Sequence, residues 1–258
     1  MPSTADLKTP RPVARYDGRD LEALASRLGV PSIVAFESVG STLDVAHELA
    51  AAGAAAGTLV VADAQTSGRG RMGRSWQSDA GAGVWLTLIE RPRDVVALDV
   101  LSLRIGLALA AVLDAFAVTP IRLKWPNDLY LASGKLGGIL VEARWRDSLP
   151  EWVAIGVGIN VRVPARELRA ACLDSGVARV DVLSRIVPAM RQAAARPGPL
   201  DVEELAAFAA RDAIAGRRCL APVRGVIRGI DPSGGLAVDI GSGITVIRAG
   251  SLVLEEEL

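Results

Sequence analysis

Lysine, asparagine, histidine and cysteine are all scarce in this 258-residue chain, and each scarcity closes an option. Cys172 and Cys219 have no paired spacing and so give no disulfide framework; one histidine gives no ligand cluster for a metal. A reducing compartment is the matching expectation. Net charge is also missing: 29 basic residues face 29 acidic ones, which removes the general electrostatic case for a nucleic-acid or membrane-surface binder. Any anion site must be local. The first twenty residues lack the apolar core of a signal peptide, and the longest apolar run, Leu98 to Val118, carries Asp99, Arg104 and Asp114. That run reads as a buried helix, and the protein as cytoplasmic.

The chain has ample apolar residues, 50%, and a length that suits one large domain or a large domain with a small one. Its densest chemistry lies in Gln65-Thr-Ser-Gly-Arg-Gly-Arg-Met-Gly-Arg-Ser-Trp76, three arginines and three glycines between two apolar runs. Arginines on a glycine-rich backbone bring fixed charge and free N–H donors close to a carboxylate or phosphate. Gly68-x-Gly70-x-x-Gly73 has the dinucleotide-binding spacing, but such a turn must open a helix, whereas RSWQSDAGAG leads into another strand. No Gly-Lys-Ser/Thr follows, so it is not a P-loop either. Trp76 suits the core or a stacked ligand equally well.

Along the chain, residues 1–18 lack periodicity and read as a loose arm. Leu21, Leu24, Ala25 and Leu28 have helical spacing that stops at Gly29. LASRLGVPS begins like a helix-turn-helix, but the recognition helix is replaced by a strand at 33–36. Ser41 to Asp44 predicts a capping box opening a helix to about Ala52, with His47 on its surface or in its packing. A helix N-terminus there is also an anion or carbonyl site. Strands are expected at 58–62, 84–89, 121–125, 135–144 and 152–161, with helices at 98–117, 179–195 and 201–214. The fold class is α+β, a mixed sheet backed by helices. From Gly216 onward, glycine turns separate four or five short runs, which predicts a small barrel-like packing or docking module.

Arginine is the default cation, since the lysines are only Lys8, Lys124 and Lys135. Lys124-Trp-Pro-Asn-Asp128 collects one of them with Asn127, and Lys135 follows before Gly137-Gly138; the other asparagine is Asn160. Asn127-Asp128 is ordinary turn chemistry. Lysine retained where arginine is the rule points to an ammonium meeting a single oxygen of a reacting carboxyl or phosphoryl group.

GRGRMGRSW, KWPNDLY followed by GKLGGIL, and GVGINV, in this order, resemble the biotin protein ligases, over about residues 33 to 215 and into the C-terminal part. The resemblance implies a catalytic domain at 1–215 and an SH3-like domain at 216–258. It also implies two steps: biotin and MgATP give biotinyl-5′-AMP and pyrophosphate, and a lysine of a biotin carboxyl carrier domain is then acylated. By the same resemblance Ser41, Thr42, Gln65, Gly68, Arg69, Gly70, Arg71 and Lys135 bind biotin. Arg71, Arg74, Trp76, Lys124, Asn127 and Asn160 serve ATP. Lys135, Arg71 and Asp128 are the catalytic set, with Asp128 orienting the attacking lysine or the metal; no side chain is assigned as a metal ligand.

Ser41-Thr42-Leu43 departs from the family's Ser-Thr-Asn, leaving only backbone at Leu43. The stretch before Ile33 is too short for the winged helix of the family's regulatory members, so the expectation is a ligase without operator binding, monomeric or homodimeric. Two other readings remain: a lipoate or octanoate ligase or transferase of the same fold, and a non-catalytic biotin or nucleotide binder.

Overall fold

A computed structural model of the chain describes residues 11–92, 94–132, 134–164 and 169–256. Of the expected loose arm, residues 1–10 lie outside the described residues, and the rest is corrected. β1 (Pro12–Val13) pairs with β4 (Ile33–Val39), and β2 (Arg15–Tyr16) with β3 (Arg19–Asp20) forms a hairpin that buries Tyr16. Tyr16 docks beneath the Arg179 guanidinium, which anchors a segment too short to show periodicity. α1 (Leu21–Leu28) starts where the Asp20 carboxylate accepts from the Glu22 and Ala23 N–H groups, and stops at Gly29, whose φ of 66° is left-handed.

α2 (Thr42–Ala51) crosses from β4 to its parallel neighbour β5 (Leu59–Gln65). Every other pairing in the large sheet is antiparallel: β6 (Gly83–Glu90), β7 (Arg122–Lys124), β8 (Asp128–Leu131), β9 (Gly134–Arg146) and β10 (Leu149–Asn160), in the order β1-β4-β5-β6-β10-β9-β8-β7. β8, which the sequence reading did not include, begins at Asp128, directly after the turn that holds Asn127. Its alternation of half-exposed Asp128 and Tyr130 with buried Leu129 and Leu131 is the period-two pattern of a strand.

Each sheet face has its own core. α2 closes one with Leu43, Ala46 and Ala50 against Phe36, Val60, Ile89 and Trp152. The other is closed by α1, α3 (Val95–Leu113), α4 (Arg179–Ala194) and α5 (Val202–Arg211). Val95–Phe116 is long and apolar enough to cross a membrane by composition, yet it packs here as a core helix. It even buries a charge: Arg104 donates to Glu204 at 2.7 and 3.0 Å and to the carbonyls of Arg196 and Pro199. Burial pushes the Glu204 carboxyl up, but hydrogen bonds from Arg104 and the Asp201 N–H outweigh it and hold it below its ordinary value.

β11 (Arg218–Ala221), β12 (Gly225–Ile230), β13 (Leu236–Asp239), β14 (Ile244–Ile247) and β15 (Val253–Leu254) make a separate five-stranded antiparallel sheet. Its interior, Ile227, Leu236 and Val238, is continuous with the core around α3. The junction is specific, since Trp125 donates its indole N–H to the Gly234 carbonyl at 2.9 Å.

Candidate active site

One wall grows from the end of β5. Gln65 accepts from the Thr42 N–H at 2.9 Å and the Thr42 hydroxyl at 3.1 Å, and donates to Ser78 at 2.7 Å. Its amide therefore joins the start of α2 to the far end of the arginine loop. Ser41 caps α2 by accepting from the Leu43 N–H, but the capping box does not form, because Asp44 turns to Arg69 at 3.1 Å. Inside the loop Gly68 accepts from the Trp76 N–H, and a Cβ at Gly68 would lie 2.4 Å from the Trp76 carbonyl, so only glycine closes it this tightly. Arg71–Gly73 then makes one 3-10 turn in which Met72 has φ 56°.

The facing wall is the β7–β8 turn and the start of β9. Asn127 donates to the Ile139 carbonyl at 2.8 Å and receives the Arg71 guanidinium at 3.5 Å, the limit of a hydrogen bond. Asp128 meets Lys135 at 2.8 Å, and the Lys135 ammonium also lies 5.2 Å from the Trp76 ring centroid. A register shift between Leu129 and Tyr130 pairs Asp128 with Gly138 and Tyr130 with Lys135. Burial lowers the Arg71 pKa; the Asp128 charge opposes this and Arg74 adds to it. A guanidinium keeps its charge regardless.

The floor explains the glycines of GKLGGIL and GVGINV. Gly138 and Gly158 are direct partners across β9 and β10, and the Trp76 indole lies on them. A Cβ at Gly158 would sit 2.6 Å from Trp76 Nε1, and the indole is steadied edge-on by Trp85 at 6.4 Å. Trp76 Nε1 is buried without a partner. Leu43 fills the space above Gly156, where an added Cβ would lie 3.1 Å from its side chain.

The cavity is ≈ 180 Å³, and Ser41, Thr42, Gln65, Arg69, Gly70, Arg71, Arg74, Trp76, Lys124, Asn127, Asp128 and Lys135 all lie on its wall. Two expected residues do not. Gly68 shapes the loop from behind, and Asn160 is buried, donating to the Lys135 and Ala171 carbonyls at 3.2 and 3.1 Å. Two contributions went unforeseen. Ser251, from the small sheet's last connection, accepts from Arg74 at 3.0 Å and reaches Met72, so the expected packing module supplies part of the wall. His47 and Glu142 engage the loop from outside. Among the described residues no three His, Cys, Asp or Glu side chains form a metal-binding group.

A mixed sheet that sets several cations and one carboxylate around a glycine-floored cavity has a counterpart among known proteins: residues 35–160 match the Biotin/lipoate A/B protein ligase family. The Aquifex aeolicus biotin protein ligase solved with biotin and ATP superimposes with a TM-score of 0.72 at 25% identity, covering 88% of this chain and 100% of that one. The biotin--[acetyl-CoA-carboxylase] ligase of Mycobacterium tuberculosis is 35% identical over 214 residues, 76% of this chain and 79% of that protein. The bifunctional ligase/repressor of Bacillus spizizenii is 45% identical over 125 residues, 48% of this chain but only 38% of its own length. The chain therefore spans well under half of that bifunctional relative, but it belongs, by the mycobacterial match, to the biotin protein ligase family.

Proposed function

We propose that this protein is an ATP-dependent biotin protein ligase that makes biotinyl-5′-AMP and passes the biotinyl group to one lysine of a biotin carboxyl carrier domain in the cytoplasm. The observation that carries this reading is that Arg71 on the loop and Lys135 on β9 line one cavity, with Asp128 on the ammonium. A carboxylate and a triphosphate repel as they meet, and cations fixed on opposite walls offset that repulsion. A carboxylate oxygen of biotin bonds to the α-phosphorus, and the bond to the pyrophosphate oxygen breaks. Arg71 and Lys135 stabilise the charge on the pentavalent phosphorus. In the second step the carrier lysine nitrogen attacks the acyl carbon, its proton passes toward Asp128, and AMP leaves.

The remaining residues divide along the cavity. Ser41, Thr42 and the backbone of Arg69 and Gly70 face the ureido end, with Gly68 shaping the loop behind them, and Gln65, with one amide hydrogen engaged by Ser78, has a second to offer. This polar end favours biotin over the alkyl chain of lipoate. Arg74, Trp76, Lys124 and Asn127 serve the nucleotide, and Asp128, the cavity's one carboxylate among the described residues, would be the side chain able to meet a magnesium ion brought in with it. Asn160 acts by fixing the Lys135 main chain. The β11–β15 sheet, residues 216–258, forms the SH3-like domain. The test is pyrophosphate release and carrier labelling with ATP, magnesium and biotin; release with lipoate and none with biotin would transfer the assignment to a lipoate ligase.

A further inference from the structure

Arg69 carries one of the loop's three positive charges, yet its guanidinium turns away from the opposed cations. Nη2 lies 3.1 Å from Asp44 on α2 and 2.9 Å from Glu142 on β9, and Nε is buried without a partner. Glu142 is itself held. The same oxygen, Oε2, meets His47 Nε2 at 2.9 Å, while His47 Nδ1 accepts from the Trp152 indole N–H at 3.0 Å. An indole only donates, so Nδ1 carries no proton and the ring hydrogen sits on Nε2, directed at Glu142. The chain's single histidine is thus locked in the tautomer that orients this carboxylate.

We infer that Glu142 is a positioning residue for the glycine–arginine loop, clamping Arg69 so that Arg71, two residues on, faces Lys135. The clamp joins three pieces of the site at one carboxylate. Asp44 and His47 belong to α2, whose first residues Ser41 and Thr42 border the cavity; Arg69 belongs to the loop; Glu142 belongs to β9, which carries Lys135. Without Glu142, Arg69 keeps only Asp44, the more exposed of its two partners. An activated intermediate held under the loop then escapes sooner, a consequence that rests on the proposed ligase reading.

The test uses the full chain carrying Glu142→Ala, Arg69→Ala or both. Hydrogen exchange of residues 66–75 is expected to rise roughly tenfold in each variant, as for one lost charge-assisted hydrogen bond, while exchange in α3 stays unchanged. The double variant should resemble Arg69→Ala rather than sum the two, because the contact between Arg69 and Glu142 is lost in either single variant. Glu142→Gln, which keeps an acceptor, should fall between Glu142→Ala and wild type. With biotin and ATP, Glu142→Ala should also release the activated intermediate about tenfold faster than wild type, with little change in the KM for ATP. Wild-type loop exchange in Glu142→Ala, or effects of Arg69→Ala and Glu142→Ala that simply add, would overturn the clamp. The exchange result decides the clamp whether or not wild type turns over biotin, and absent turnover counts only against the ligase reading.

Discussion

Alanine at position 158 would put a methyl group where the Trp76 indole lies. Its carbon would sit 2.6 Å from Nε1 and 2.8 Å from Cε2, short of ordinary contact by about 0.8 Å. The backbone has little room to retreat, because β10 is flanked by paired strands on both sides at this point, with Gly138 of β9 and Trp85 of β6 opposite Gly158. The indole must lift. Overpacking of this kind costs about 1–3 kcal/mol. Lifting also gives up the edge-on contact with Trp85 and the ammonium contact with Lys135, each worth roughly 0.5–1.5 kcal/mol. For a chain of this size these losses, about 2–6 kcal/mol together, should lower the melting temperature by roughly 4–20 °C. Because the same indole borders the cavity, calorimetric titration should give ATP affinity roughly tenfold weaker. The control is a double-mutant cycle: in a Trp76→Ala background there is nothing to overlap, and Gly158→Ala should cost under about 0.5 kcal/mol. An equal loss of stability in both backgrounds would refute the account of the floor.

Lys135→Ala should lower adenylate formation by roughly a hundredfold or more while changing ATP binding far less, as for a contact made mainly in the transition state; wild-type rates would remove Lys135 from the chemistry. Arg71→Ala should shed the adenylate early, seen as labelling of lysines outside the carrier domain, and undiminished retention would contradict its role. Glu204→Ala should cost about 3–5 kcal/mol in chemical denaturation, because Arg104 is left buried and charged, whereas Arg104→Met with Glu204→Leu should recover most of it. The folded pKa of Glu204 lies below its unfolded value, so this stabilisation is complete above about pH 5 and is lost as pH falls through the folded value. A stability profile from pH 3 to 7 that is unchanged by Glu204→Gln would refute it.

What the sequence made legible is local. Glycines and arginines at 68–74 announce a backbone that turns tightly around an anion, and lysine's rarity singles out Lys124 and Lys135, both on the cavity wall. Helix limits such as Asp20 and Gly29 are written in capping chemistry. What stayed hidden is pairing at a distance. Arg69 reads as a free cation until Glu142, 73 positions away, is folded against it, and Ser251 is 177 positions from Arg74. Asn160 was singled out by rarity alone, but a buried amide can equally be retained to satisfy main-chain carbonyls. β8 was missed because Asn127-Asp128 spells a turn, and only the alternation of the next residues discloses a strand.

The wall that begins at Ser41 closes with Leu252. In the order in which a ribosome delivers the chain, the loop, the floor and both lysines of the cavity are synthesised well before residues 250–252. Until then Arg74 has no Ser251 to accept its hydrogen bond, and one side of the cavity stands open to water. Under the proposed reading, a chain lacking residues 250–252 would carry the cavity's cations without this part of its wall.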